Sequence, residues 1–311
     1  MAGESACEFV VEGKATGGPL DETETEGFTL TVQAHADGRF AGARGTALFR
    51  RRWRPDTPAR GVLVNVHGLG DHSGLYPAVV EYFTARGFAV HAPDLRGNGL
   101  SPGQRGHITR WEVFREDLRR FLELVRSEEP GLPLFVLGNS LGGLIVLEYA
   151  LHYPEGLQGV IAAAPPLGSL GIPAPLLMLG KVMSRILPRF ALRTGMDLSG
   201  LAQDPAVVEA VLADPHFHRW GTARLSVEVT KAVERVQAGA PSFPVPVLLL
   251  HGGADRMVLP DGTRAFMRNL GPLDKTLIEY PDGFHALFAD QGGERVLADV
   301  ERWIEAHLPS P

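Results

Sequence analysis

The chain has 311 residues, enough for one large domain or one domain carrying a sizeable insertion, and 30 basic against 36 acidic residues leave a net charge of -6. That balance argues against nucleic acid as a partner, and the ordinary apolar content is that of a globular enzyme or binding domain. A single cysteine, Cys7, excludes an intrachain disulfide and fits a reducing compartment.

Residues 1–26 are rich in Glu, Gly and Thr and read as a flexible acidic leader, with no basic and apolar run that would mark a secretory signal; the expected location is cytoplasmic. Alternating apolar and polar residues then predict antiparallel strands at 27–32 and 46–53. After them an apolar run, a loop and an amphipathic stretch recur. The apolar runs are Val62–Val66, Ala89–Ala92, Leu134–Leu137, Gly159–Ala163, Val245–Leu250 and Thr276–Tyr280, continuous rather than alternating, as in a parallel sheet covered on both faces. Helices are expected near 76–86, 111–127, 144–152, 262–270 and 293–307. The rhythm fails once, between Ala164 and Val245, where about eighty residues replace a crossover that needs a dozen or so. The expected organisation is therefore a core over 27–164 and 243–311, with residues 165–242 inserted as a mainly helical cap over the carboxyl edge of the sheet, where open α/β sheets bind ligands.

Two segments of that insertion bear on membranes. Residues 159–180 lack charge and approach the length of a bilayer span, but Pro165, Pro166, Pro173 and Pro175 break a helix there, so no transmembrane segment is expected. Residues 176–193 place Lys181, Arg185, Arg189 and Arg193 at four-residue spacing among apolar residues. If helical, although kinked at Pro188, this is a basic stripe beside an apolar face: a solvated cap helix, or an element that docks on anionic lipid.

The strongest chemical signal is Gly138-Asn139-Ser140-Leu141-Gly142, lying between an apolar strand and a helix-compatible run. A serine on such a sharp turn is held in a strained conformation that projects its hydroxyl, and a Cβ two residues to either side would collide with the neighbouring chain. A serine hydroxyl needs a base, and the base an orienting acid, in the chain order Ser, acid, His for a strand–turn–helix nucleophile. The next core strand ends at His251-Gly252-Gly253-Ala254-Asp255 and the one after at Tyr280-Pro281-Asp282-Gly283-Phe284-His285, which delivers Asp255 and His285 to the edge that holds Ser140. Asp261, read as a helix N-cap, and Asp282, read as a loop brace, are the competing acids; His251, at the end of a buried strand, and His152 are the competing bases. Two backbone N–H groups are expected to form an oxyanion hole: Leu141, directly after the serine, and Leu69, in the His67-Gly68-Leu69 loop after the first parallel strand.

With these residues in place the chain resembles the α/β-hydrolases of the monoglyceride lipase and lysophospholipase group. The resemblance is carried by His67-Gly68, Asp71-His72-Ser73-Gly74, Tyr76, Asp94-Leu95-Arg96-Gly97-Asn98-Gly99-Leu100-Ser101, Pro102-Gly103-Gln104-Arg105-Gly106-His107, the serine turn, His251–Asp255 and Gly283-Phe284-His285. It implies an eight-stranded, mostly parallel sheet with helices on both faces and a cap shaping an acyl pocket. The implied activity is serine carboxylic-ester hydrolysis of monoacylglycerols, lysophospholipids or smaller acyl esters, without cofactor or metal. His67, Gly68 and Asn139 are the expected substrate-binding positions. Asn98, Asn139 and Ala286 depart from the residues usual in that group, which bears on the substrate rather than on the machinery. The alternatives are an aminopeptidase-like amide hydrolase, which would need a cap carboxylate such as Glu209, Asp214 or Glu228 for a substrate ammonium, and a non-catalytic binding protein that keeps the fold; Ser140 at the nucleophile position disfavours dehalogenase or epoxide hydrolase chemistry.

Overall fold

The computed structural model of the chain describes residues 36–168, 174–195, 197–271 and 274–309. The strand expected at 27–32 lies outside them. Eight strands form one sheet: β1 (Ala36–Ala41), β2 (Ala47–Trp53), β3 (Gly61–Val66), β4 (Phe88–Pro93), β5 (Leu134–Asn139), β6 (Gly159–Ala163), β9 (Val247–Gly252) and β10 (Lys275–Tyr280). Their order across the sheet is β1-β2-β4-β3-β5-β6-β9-β10. The pairs β1–β2 and β2–β4 are antiparallel and the other five parallel.

Five of the six continuous apolar runs become strands buried along their whole length, as expected of a sheet covered on both faces; the sixth, β10, is an edge strand, half-buried up to Tyr280. Alternation still operates within them. Val62, Val64, Val66, Val136 and Leu249 enter the core on one face, while Leu63, Phe135, Leu137, Leu248 and Leu250 enter the core on the other. The first face carries α2 (Glu112–Glu128), α3 (Leu141–Ala150), α6 (Ala223–Gly239) and α7 (Asp261–Asn269); the second carries α1 (Pro77–Thr84) and α8 (Gly293–His307). Helix α3 is buried on every side, consistent with its nearly uniform apolar composition. Its one charged residue, Glu148, is neutralised by Arg115 at 3.0 Å and Arg235 at 3.2 Å.

The long interval between β6 and β9 holds α4 (Ala174–Ile186), α5 (Pro205–Ala213), and β7 (Ala191–Arg193) paired antiparallel with β8 (Trp220–Thr222), before α6 returns the chain to the core. Here the structure differs from the sequence reading. Helix α4 stops at Ile186, and Arg193 lies in β7, so Lys181, Arg185, Arg189 and Arg193 do not form one helical stripe. Pro188 is the physical reason: it lacks an N–H and disfavours helical backbone at Leu187. No helix among the described residues is long and apolar enough to cross a membrane.

Candidate active site

Strand order brings the chemistry together. The chain leaves β3 toward β4 on one side and returns to pair β5 on the other, so the loops after β3 and β5 sit side by side at a topological switch point. Register aligns Val66 with Gly138, Asn139 with Ala163, and Gly252 with Tyr280. The segments that follow these strand ends, carrying Leu69, Ser140, Asp255 and His285, therefore emerge at one edge of the sheet.

Ser140 has φ 53° and ψ -121°, a region that costs a non-glycine residue about 1–3 kcal/mol. The turn is held by a 2.8 Å bond from Ser140 N–H to the Ala163 carbonyl and a 3.2 Å bond from Leu144 N–H to the Ser140 carbonyl. A Cβ at Gly138 would run into the backbone of Gly142, and one at Gly142 into the carbonyl oxygens of Val66 and His67, so both flanking glycines are steric necessities. Ser140 is the N-cap of α3, and the helix end beneath it presents the N–H of Leu141. Among the described residues neither the Leu141 nor the Leu69 N–H meets an acceptor.

His285 Nδ1 lies 2.7 Å from Asp255 Oδ2, with both residues buried. The carboxylate is fixed by its other oxygen, Oδ1, which accepts the N–H groups of Met257 at 2.8 Å and Val258 at 2.9 Å. An ionised Asp255 only accepts, so Nδ1 carries the proton and Nε2 of a neutral His285 is left as a base. Gly252 lets the acid loop pass close to the histidine loop: a Cβ there would meet the carbonyls of Gly283 and Phe284.

The competing residues are engaged elsewhere. His251, fully buried, donates from Nε2 to the Val258 carbonyl at 2.8 Å and accepts at Nδ1 from the Thr263 hydroxyl at 2.9 Å, and burial lowers its pKa. His152 is exposed, just past the C-terminal end of α3 and so at the opposite end of that helix from Ser140, with its Nδ1 at 2.9 Å from the Glu148 carbonyl. Asp261 is the first residue of α7, where Pro260 rather than Asp261 occupies the cap position, and it pairs with Arg264. The Asp282 side chain is exposed, while its carbonyl accepts a 2.8 Å bond from the Gln203 amide.

Ser140 and His285 border one cavity of about 300 Å³. Gly68, Leu69, Asp71, Tyr76 and Asn139 line it beside the serine; Leu198, Leu201, Val207, Val211 and Phe217, from the segment between β6 and β9, supply an apolar wall. His67, expected at a substrate-binding position, does not reach it. It is wholly buried, donates from Nδ1 to the Gly68 carbonyl at 2.7 Å and accepts at Nε2 from Leu95 N–H at 2.9 Å, and burial lowers its pKa. Its work is to shape the loop that carries Leu69.

Tyr76 ties that loop to the serine turn. Its hydroxyl donates to Asp71 Oδ2 at 2.8 Å and accepts from Asn139 Nδ2 at 3.2 Å and Gly68 N–H at 3.4 Å. Burial, then the charge of Asp71, raises its pKa well above that of free tyrosine, so it stays a neutral brace. Asn98, from the loop after β4, and His218, from the segment between β6 and β9, hold the same loop. Asn98 Oδ1 accepts from Gly70 N–H at 3.1 Å and from His218 Nε2 at 2.9 Å, while His218 N–H donates to the Gly70 carbonyl at 3.0 Å. Burial, and then the nearby charge of Arg105, pushes the His218 pKa down to about 4. Sequence reasoning did not single out Asn98 as a loop brace or His218 at all, because their partners are distant in the chain.

The profile of the family Hydrolase_4, described as serine aminopeptidase, S33, matches residues 57–292. The chain is 33% identical over 284 residues to a monoacylglycerol lipase of Mycolicibacterium smegmatis, covering 90% of this chain and 100% of that protein. It is 30% identical over 267 residues to human monoglyceride lipase, covering 84% and 88% respectively. The crystal structure of Paleococcus ferrophilus monoacylglycerol lipase superposes with a TM-score of 0.77 at 35% identity, covering 84% of this chain and 99% of that one. With the family profile spanning most of the chain and these relatives matching nearly its whole described length, the chain belongs to the Hydrolase_4 family and, within it, to the monoglyceride lipase-like group of α/β-hydrolases.

Proposed function

We propose that the chain is a carboxylesterase- or lipase-type serine hydrolase acting on monoacylglycerol, lysophospholipid or related acyl esters. The observation that carries this reading is the buried Asp255–His285 pair at the same cavity as the strained Ser140. In this mechanism His285 Nε2 takes the proton of Ser140 as the hydroxyl attacks the ester carbonyl. The N–H groups of Leu69 and Leu141 hold the oxyanion, and protonated His285 returns its proton to the departing alcohol. Water activated by the same imidazole then hydrolyses the acyl-enzyme, while Asp255 keeps the ring in its tautomer. The acyl chain lies along the apolar wall of the cavity, which the cap, residues 165–242 in this reading, supplies. Ser140→Ala is expected to abolish both ester turnover and labelling by a fluorophosphonate; a folded variant with full activity refutes the assignment.

The family description favours amide hydrolysis as a second reading. Of the carboxylates considered for a substrate ammonium, Asp214 is held by His72 at 3.0 Å, Glu228 by Lys231 and the Trp111 N–H, and Glu209 is exposed and does not line the cavity. Ester hydrolysis is therefore preferred. Faster turnover of aminoacyl anilides than of p-nitrophenyl esters reverses that preference.

Contact with a lipid surface through the cap belongs to the same proposal, in a form altered by the end of α4. Met178, Leu179, Val182, Ile186, Leu187, Phe190 and Leu192 are exposed apolar residues on α4, the turn after it and β7, flanked by Lys181, Arg185, Arg189 and Arg193. An apolar patch edged by cations suits an anionic interface whether or not the cations share one helix. Co-sedimentation with vesicles should increase with anionic lipid content; sedimentation indifferent to lipid charge and to Ile186→Asp overturns it.

A further inference from the structure

The histidine loop and the apolar wall of the cavity come from segments about eighty residues apart, and one set of hydrogen bonds joins them. Asp290, five positions after His285, is buried. Its Oδ2 accepts the Gln203 N–H at 2.8 Å and its Oδ1 the Asp204 N–H at 3.1 Å. Asp204 is the N-cap of α5, whose Val207 and Val211 line the cavity. On the loop side, Asp290 N–H donates to the Ala286 carbonyl at 3.0 Å, and the Asp290 carbonyl accepts from Gly293 N–H at 3.0 Å, fixing the turn between His285 and α8. Further bonds run parallel to the carboxylate. Ala286 N–H donates to the Leu201 carbonyl at 2.8 Å, His285 N–H to the Gly200 carbonyl at 3.4 Å, and the Gln203 amide to the Asp282 carbonyl at 2.8 Å.

We propose that Asp290 is a specificity-determining positioning residue, whose carboxylate clamps the start of α5 to the histidine loop and so holds the Leu201, Val207 and Val211 wall where a long acyl chain packs. The inference rests on the ester-hydrolase reading and adds to it a residue that touches neither the substrate nor the reacting atoms. The side-chain chemistry is specific. Two successive backbone N–H groups face two carboxylate oxygens, and the donors at a helix start favour a negative charge. Asparagine can accept only one of those N–H groups and turns its own NH₂ toward the other; alanine accepts neither. A short acyl group reaches Ser140 without using the wall, so the clamp bears on long chains alone.

The test compares p-nitrophenyl acetate with p-nitrophenyl decanoate for the full chain and its Asp290→Asn, Asp290→Ala and Ser140→Ala variants, with melting temperatures recorded. Asp290→Ala is expected to lower kcat/KM for decanoate roughly tenfold or more, chiefly through KM, while the acetate value stays within about threefold; Asp290→Asn falls between. Should Asp290→Ala fail to fold, the same change in the decanoate-to-acetate ratio is required of folded Asp290→Asn. An unchanged ratio, or parallel losses on the two esters, overturns the clamp while leaving the serine reading intact. Turnover retained by Ser140→Ala overturns the serine reading itself.

Discussion

Replacing Asp255 by Asn separates the orienting role proposed for this carboxylate from its structural one. In the native site Oδ1 accepts two backbone N–H groups, from Met257 and Val258, while Oδ2 accepts from His285 Nδ1. Asparagine must choose which face receives its NH₂. Turning it toward the backbone leaves two half-buried N–H groups without acceptors, at up to about 1–3 kcal/mol each, so the amide oxygen stays there and the NH₂ faces His285. That face then offers a donor where the native one offered an acceptor, and the imidazole answers by carrying its proton on Nε2. Nε2 can no longer take the proton of Ser140. In a triad of this geometry such a tautomer change costs about 10,000-fold in kcat, equivalent to about 5 kcal/mol of barrier. The backbone acceptors survive, so the melting temperature should move by only a few degrees. Initial rates on p-nitrophenyl butyrate alongside a melting curve decide it. A loss below about tenfold in a variant that melts like the native protein refutes the triad as drawn.

Two further predictions follow from packing and charge. His218, with its pKa pushed down to about 4 by burial and then Arg105, is neutral in the fold and binds a proton more readily in the unfolded chain. Stability is therefore fully present above about pH 6.5 and lost as the pH falls toward 4, by at most about 3 kcal/mol from this group. His218→Asn should flatten urea-derived stability across that window, and an unchanged acid loss rejects His218 as its source. Gly142→Ala would drive a Cβ into the carbonyl oxygens of Val66 and His67 and is expected to cost about 3 kcal/mol or more of stability; a variant that unfolds at the native urea midpoint contradicts the steric account of the serine turn.

The parts legible in the sequence were those fixed by local rules. Continuous apolar runs marked β3, β5 and β6 because a strand covered on both faces leaves no polar position to interrupt it. The serine turn was legible from its two glycines, since no other residue fits against Gly142 or the β3 carbonyls. That Asp255 and His285 meet at the sheet edge that carries Ser140 followed from strand ends alone. What escaped was settled by contacts remote in sequence. Strand β1, Ala-Asp-Gly-Arg-Phe-Ala, buries only Phe40 and forms because β2 offers an edge to pair with. His67 looked like a cavity residue from its place after β3, yet a donor 28 positions away, Leu95 N–H, claims its free nitrogen. Asp290 gave no signal at all, because its partner Gln203 lies 87 positions earlier.

The same contrast explains how the site is built. Strand ends deliver Ser140, Asp255 and His285, and their positions depend on the register of a rigid parallel sheet. The cavity wall comes from a segment whose hold on the core is local and polar. On the side of the Leu69 loop it is fastened through His218 to Asn98 and Gly70, and on the histidine side through Gln203 and Asp204 to Asp290. Each fastening uses backbone N–H or carbonyl groups of the cap, which any sequence there can supply, and a side chain from the core or the cap to meet them. Side chains such as Leu201, Val207, Val211 and Phe217 are thereby free to vary in size without moving either half of the proposed catalytic machinery. Substitutions in that wall should alter which acyl chain is accepted, while changes at the fastenings should alter whether a wall is held in place at all.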